Sequence, residues 1–485
     1  MLNKFPENFL MGGAISACQA EGAWDYNGKA LTFSEVVKKA DPAKRKMIQL
    51  PKVKKEDIDE AKKGPVSMYP KRWGIDFYHT YKEDIALLAE MGFEVFRFSV
   101  SLARVFPDLE EEQPNEEAMI YYEGIVDECI KYHIEPLITI IHFDPPIAVY
   151  ERYGGWKNRK LIDIYLKYTK VLFMRFKNKV RYWITFNEIN FALKASFKTL
   201  GMVYEDVPDR EEGLFQAIHH QFVAAAKATA QAKQIDSKFK IGCMIGDICS
   251  YPYSCDPDNV LENQNYDRMI NLFFLDVMSK GKYPYYMNNY FEKKKFNLEM
   301  TSEDTVYIEK YTADFIGFSY YMSTVISADY ADKDMTGSNI GQGLKNPKLK
   351  SSQWGWQIDP VGLRIRINHM YDRYQKPLFI LENGIGAIEE LTLDHKVHDN
   401  YRIDYHQKHL QQIMLAIDDG CEVLGYTMWS PLDIISSSTS EMSKRYGLIY
   451  IDQDDQGKGT KRRFPKDSFY WYKRVIATKG SAIFE

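Results

Sequence analysis

Cysteine is scarce, with six in 485 residues and no CxxC pair among them. That is too few to staple a chain of this size, which excludes a disulfide framework. Buried free thiols in a reducing compartment are expected instead. The even spacing of Cys243, Cys249 and Cys255 invites a metal reading. Zinc ligands, however, ordinarily sit two to four residues apart with histidines completing the set, so no metal is expected. Long apolar runs are also missing, none approaching the roughly 18 residues of a transmembrane helix. The opening MLNKFPENFLMGG has no charged stretch followed by a long apolar one, so no signal peptide is expected and the chain reads as cytoplasmic. Charge of one sign is not in excess either. With 63 basic and 67 acidic side chains the formal net charge is -4, which gives no reason to expect nucleic acid or a membrane as a partner. No Pro-, Gly- or Ser-rich linker divides the chain, so residues 1–485 read as one domain. One segment, Lys38–Lys63, carries ten Lys or Arg against five Asp or Glu. It is either a solvated loop or an attraction for an anionic substrate.

What is present is apolar and aromatic material: 45% hydrophobic residues, with 34 Tyr, 27 Phe and 8 Trp. Rings fill cores and also supply flat faces on which sugars stack. Eight β-rich apolar runs recur: Phe9–Ser16, Phe93–Ser101, Glu135–Phe143, Tyr182–Glu188, Phe239–Ile245, Asp314–Tyr321, Pro377–Asn383 and Val423–Pro431. Helical periodicity fills several intervals, as in Tyr78–Met91 and Asn115–Tyr132. Runs with little polar alternation suit parallel strands covered on both faces. Eight strand–helix repeats close most simply into a single (β/α)8 TIM barrel, and the chain length implies long βα loops. The rival is a doubly wound open sheet. It usually carries a Gly-rich turn after its first strand, and Gly12 and Gly13 do not make one.

Active sites of such barrels lie at the C-terminal ends of the strands. Polar residues there include Gln19, Arg97, His142, Asn187 with Glu188, Tyr321, Glu382 with Asn383, and Trp429. One glutamate ending an apolar strand could be an exposed rim. Two on different strands, each beside an Asn, point to a carboxylate pair, the machinery of glycoside hydrolysis. Such a pair needs no metal or cofactor, and none is expected. A barrel of another chemistry, such as an aldolase, would need a lysine or a metal cluster at the strand ends, and neither is seen.

Five segments, in order, resemble glycoside hydrolase family 1: FLMGGAISACQAEGAW, FRFSVSLARVFP, TFNEIN, FILENG and YTMWSPLD. The resemblance spans roughly Phe5 to Tyr472. It implies Glu382 as nucleophile and Glu188 as acid/base, with retained anomeric configuration. It further implies that Arg97 keeps Glu382 ionised, that Tyr321 holds it by a hydrogen bond, and that Asn187 binds the sugar 2-hydroxyl. Gln19 and His142 would hold the 3- and 4-hydroxyls and Trp429 would form a stacking floor, with ordinary core packing as the alternative for His142 and Trp429. Cys18, Ile189 and Ser319 depart from the family's usual residues without removing chemistry.

The departure that matters follows the eighth strand, where neutral-sugar members carry Glu-Trp and this chain reads DIISSSTSEMSKRYG. Ser436 and Ser437 replace the pair, so a carboxylate that would repel phosphate is absent. Ser438, Lys444 and Tyr446 resemble the phosphate loop of the 6-phospho-β-glycosidases, the alternative being a solvated Ser-rich loop. The 6-phospho-β-galactosidase branch typically has Trp at the position of Ser437, so the small residue resembles the glucosidase branch. The resemblance thus implies retaining hydrolysis of 6-phospho-β-D-glucosides, formed when a phosphotransferase system phosphorylates a glucoside during uptake. A 6-phospho-β-galactosidase, a dual enzyme and an inactive sugar-phosphate-binding barrel are the alternatives. Trp354 and Trp356 are candidate walls on the aglycone side, or simple packing. A homo-oligomer is compatible with the sequence, which does not fix the state.

Overall fold

The computed structural model describes residues 2–41, 53–203, 210–338 and 343–485. Residues 42–52, the middle of the basic segment Lys38–Lys63, lie outside the described residues. Eight strands form a closed parallel barrel in sequence order. They are β1 (Leu10–Ala14), β2 (Val95–Ser99), β3 (Glu135–Ile141), β4 (Tyr182–Phe186), β5 (Lys240–Pro252), β6 (Phe315–Ile326), β7 (Leu378–Glu382) and β8 (Val423–Trp429). β1 closes on β8 in the register Gly12↔Thr427 and Ala14↔Trp429, so no strand edge is left open. Closure excludes the open doubly wound sheet.

One helix from each interval covers the barrel: α1 (Phe77–Met91), α2 (Glu116–Lys131), α3 (Lys160–Arg175), α4 (Arg210–Ile235), α5 (Phe273–Lys280), α6 (Pro360–Tyr374) and α7 (Asn400–Asp418), with α8 (Asp467–Ala477) after β8. α2 begins where Asn115 Oδ1 accepts from the Glu117 and Ala118 N–H groups, satisfying two of the donors a helix start leaves unpaired. Among the described residues no helix is long and apolar enough to cross a membrane.

Two apolar layers hold the barrel. The outer one packs strands against helices. The inner one fills the lumen with Val95, Leu137, Tyr182, Ile184, Met244, Phe315, Phe379 and Leu381, all buried. Truncating one of these large side chains to Ala costs about 3–5 kcal/mol. The lumen is therefore a plug, and the polar strand ends above it sit on a rigid floor. β5 and β6 run past the barrel and pair out to Pro252↔Ile326, with a register shift between Asp247 and Cys249. A small antiparallel hairpin, β9 (Ile449–Ile451) and β10 (Arg463–Pro465), follows β8.

Candidate active site

Glu382 is the last residue of β7, and four other strands or their ends converge on it. Arg97 of β2 donates Nη1–H to Glu382 Oε1 at 2.6 Å, and Tyr321 of β6 donates its hydroxyl to Oε2 at 2.7 Å. Arg97 is itself fully buried and fixed: its Nε donates to Thr139 Oγ1 on β3 at 2.9 Å and its Nη2 to Asn187 Oδ1 at 2.6 Å. His142, just after β3, brings Nε2 to 3.9 Å from Glu382 Oε1. Burial, reinforced by the Arg97 charge, drives the His142 pKa well down, so the imidazole is neutral.

Glu188 stands across this cluster with a different environment. Its partner is the Ser319 hydroxyl, which donates to Oε1, and no cation bonds it. Burial, and then the charge of Glu382, push its pKa up to about 8. Burial also raises Glu382, but the Arg97 charge and the hydrogen bonds from Tyr321 and Arg97 oppose it. The sign is clear: Glu382 ionises first, and Glu188 keeps its proton near neutrality. The Glu188 backbone is in the left-handed region at φ 38°, a conformation costing roughly 1–2 kcal/mol for a residue with a Cβ. The backbone is closely packed around both glutamates. A Cβ on Gly246 would meet Phe191 Cε2 at 2.3 Å and Glu188 Cδ at 3.0 Å, and one on Gly384 would meet the Trp429 carbonyl at 1.9 Å.

The two glutamates open into one cavity, whose wall includes Gln19, His142, Tyr321 and Trp429. The His142 and Trp429 rings lie nearly parallel, 25° apart with centroids at 5.6 Å. Gln19 is buried and oriented from both sides, its Oε1 accepting from Ser16 at 2.8 Å and its Nε2 donating to the Ile435 carbonyl at 2.7 Å. Asn187 Nδ2 is buried beside Glu188 without a hydrogen-bond partner, while its Oδ1 is held by Arg97. A donor left bare in that position is set for a ligand acceptor.

Ser438 and Tyr446 also line the cavity. Lys444 stands behind them, fully buried, and its Nζ makes no hydrogen bond. The ammonium instead faces rings: Trp356 at 4.0 Å, Trp354 at 5.1 Å and Tyr446 at 5.5 Å. Burial lowers its pKa to about 7, with Glu441 acting weakly in the other direction. Trp354 and Trp356, expected as aglycone walls, thus box the Lys444 cation, and of the two only Trp356 reaches the cavity lining. Ser436, expected to touch the sugar, is not part of that lining. It is fully buried, accepts from Thr439 Oγ1 at 3.0 Å and donates its N–H to the Glu441 carbonyl at 2.8 Å. Its side chain also bonds Tyr446, which does line the cavity.

Two further lysines were not legible as site residues. Lys198 Nζ donates to the Ser437 carbonyl at 2.9 Å and the Ser437 hydroxyl at 3.0 Å. Lys71 Nζ donates to Ser440 Oγ at 2.6 Å. Each stands among apolar or aromatic neighbours, Phe197 and Leu200 or Tyr69 and Trp73, a setting equally usual for a lysine whose head reaches solvent. Among the described residues no group of three or more His, Cys, Asp or Glu could hold a metal ion, and all six cysteines are free.

A closed barrel with two unequally charged glutamates at its C-terminal face is suited to glycoside hydrolysis, and residues 1–481 match glycosyl hydrolase family 1; the chain belongs to that family. Among its relatives is an aryl-phospho-β-D-glucosidase of Bacillus subtilis, 47% identical over 480 residues and covering 99% of each chain. A 6-phospho-β-glucosidase of Clostridium longisporum is 45% identical, covering 99% of this chain and 98% of the other. Of solved structures, the family 1 β-glucosidase from Thermotoga maritima superposes with a TM-score of 0.81 at 27% identity, covering 99% of both chains.

Proposed function

We propose that this protein hydrolyses 6-phospho-β-D-glucosides with retention of configuration, releasing glucose 6-phosphate and an aglycone. One observation carries the choice of substrate: a buried ammonium, Lys444, without hydrogen bond or ion pair, backs the wall formed by Ser438 and Tyr446. An uncompensated buried cation costs several kcal/mol, which a phosphate entering the cavity would offset. The names of the relatives at 45–47% identity support the same substrate class.

The chemistry follows from the unequal glutamates. Glu382, ionised and aimed by Arg97 and Tyr321, attacks the anomeric carbon while Glu188 passes its proton to the leaving oxygen. The glycosyl ester consumes the Glu382 charge and removes the repulsion that raised Glu188. Glu188 then becomes basic enough to take a proton from water, which releases the sugar with the starting configuration. Asn187 Nδ2 donates to the 2-hydroxyl, a contact that strengthens in the transition state.

The test compares kcat/KM for an aryl β-glucoside, its 6-phosphate and the galacto 6-phosphate. The gluco 6-phosphate should be strongly preferred. Glu382→Gly should abolish turnover and, with added azide, form an inverted glycosyl azide. Preference for the neutral sugar would sink the phospho-substrate reading, and preference for the galacto 6-phosphate would move the protein to the sister specificity.

A further inference from the structure

The hydrolase reading leaves one cation of the cavity wall without a task. Lys198 sits on the short helix Ser196–Leu200 in the segment following Glu188. It is 3% exposed and lines the cavity that holds both glutamates. An ammonium has three protons, and the two bonds to Ser437 use two of them. Among the described residues no carboxylate pairs with it, and burial lowers its pKa to about 8.

The surroundings say what the third proton faces. Lys198 lies within electrostatic range of Cys18, next to Gln19, and of Glu188, and both His142 and Lys71 feel Lys198 in turn. Lys444 feels none of these groups; its neighbours are Glu441, the two tryptophans and Tyr446. The two ammoniums therefore occupy different places. Lys444 lies behind the lining, whereas Lys198 lines the cavity itself, anchored at Ser437 and within range of the side of Gln19 and His142, where ring hydroxyls would be held. The Phe143 ring, 5.8 Å away, bounds Lys198 on a further side. Ser437 leaves room for the ammonium, which lies 3.0 Å from its hydroxyl. A bulky ring at that position would contest the space.

We propose that Lys198 donates its third proton to a secondary hydroxyl on the 3,4-edge of the bound pyranose, making it a glycone-binding residue with Ser437 as its anchor. This rests on the hydrolase reading above. The bond is charge-assisted, so its loss is worth about 10- to 100-fold in kcat/KM.

The experiment is a cycle between enzyme and substrate. An aryl 6-phospho-β-glucoside and its 3-deoxy and 4-deoxy counterparts are assayed with wild type and Lys198→Met. The variant should lose about 10- to 100-fold on the parent sugar and threefold or less on the one analogue lacking the hydroxyl that Lys198 contacts. Lys198→Gln, which keeps a neutral donor, should recover part of the loss and carries the same cycle should the Met variant fold poorly. An equal loss on all three sugars would mean that Lys198 only braces the loop. A loss that disappears on the neutral aryl glucoside would assign Lys198 to the phosphate. Either result, or no loss on the parent sugar, overturns the proposal. A wild type inactive on the 6-phospho-glucoside would instead sink the hydrolase reading itself.

Discussion

Lys444 and Arg445 are neighbours in sequence and opposites in structure. Arg445 Nη1 donates to Asp433 Oδ2 at 3.0 Å and to the Ile451 carbonyl at 2.7 Å, and its Nη2 to the Gln453 carbonyl at 2.8 Å. It belongs to a buried network in which Arg402 pairs with Asp399 at 2.9 Å and Glu389 at 2.6 Å, while Lys466 pairs with Asp433 at 2.9 Å and with Glu389. Every cation of that network has a carboxylate. One residue away, Lys444 makes no hydrogen bond and faces aromatic rings, with the Glu441 charge acting only from a distance. The difference separates scaffold from site. A buried charge that is fully partnered holds the loop in place, and a buried charge without a partner awaits a ligand.

The sharpest way to break this comparison is to remove a cation from the partnered side. Lys466→Met leaves Asp433 and Glu389 with one fewer counter-charge and should cost about 3–5 kcal/mol in chemical denaturation. A loss under about 1 kcal/mol would mean that the network is redundant. Next in size is an acid effect. Burial alone would raise the Glu389 carboxyl, but the Lys466 and Arg402 charges outweigh it and hold it at about 2. Its unfolded value is near 4.3, so its contribution is fully present above that pH and is lost as pH falls toward 2. The stability gap between wild type and Glu389→Gln, on the order of 2–3 kcal/mol at pH 6, should shrink steadily when measured from pH 5 to 3.

On the unpartnered side, Lys444→Met should lose about 10- to 100-fold in kcat/KM on the phosphorylated glucoside and hardly change on the neutral one. Its stability should not fall. The folded pKa of about 7 lies below the unfolded 10.4, so protonation favours the unfolded chain. The penalty therefore grows as pH drops from about 10.4 to 7, and the variant should gain more in Tm at pH 6 than at pH 10. Equal losses on both sugars would place Lys444 with the scaffold. The smallest effect is a ligand shift. Inorganic phosphate at ten to a hundred times its Kd should raise wild-type Tm by on the order of 1–2 °C and leave Lys444→Met unmoved.

The barrel was legible because parallel strands buried on both faces read as continuous apolar runs: six of the eight expected runs contain the strand found, and the other two contain its first part. The extensions of β5 and β6 were not, because Gly246–Pro252 mixes Gly, Asp, Ser and Pro and so breaks the apolar run, although the two strands stay paired and Ile248, Cys249, Met322, Val325 and Ile326 are buried. Glu188 and Glu382 could be read from their places at or just past strand ends, and Arg97 and Tyr321 as polar groups within otherwise apolar runs, although the structure sets both inside their strands. Lys198 and Lys71 could not. Their burial depends on loops from distant parts of the chain folding over them, and nothing in the local sequence records a contact with Ser437 or Ser440. Ser436 was read by its position in a motif, and the structure turns its side chain inward.

The serine loop is gripped from two directions, by Lys198 at Ser437 and by Lys71 at Ser440. This bears on how the specificity could change over evolutionary time. A carboxylate introduced at Ser436 would arrive in a loop already surrounded by buried ammoniums, and an ion pair with one of them would compete with the free hydroxyls of a neutral sugar. The shift toward unphosphorylated substrates is thus epistatic. Ser436→Glu should gain little alone and considerably more once Lys198 or Lys444 has been neutralised, so the order of substitutions, and not only their identity, decides which paths pass through active intermediates.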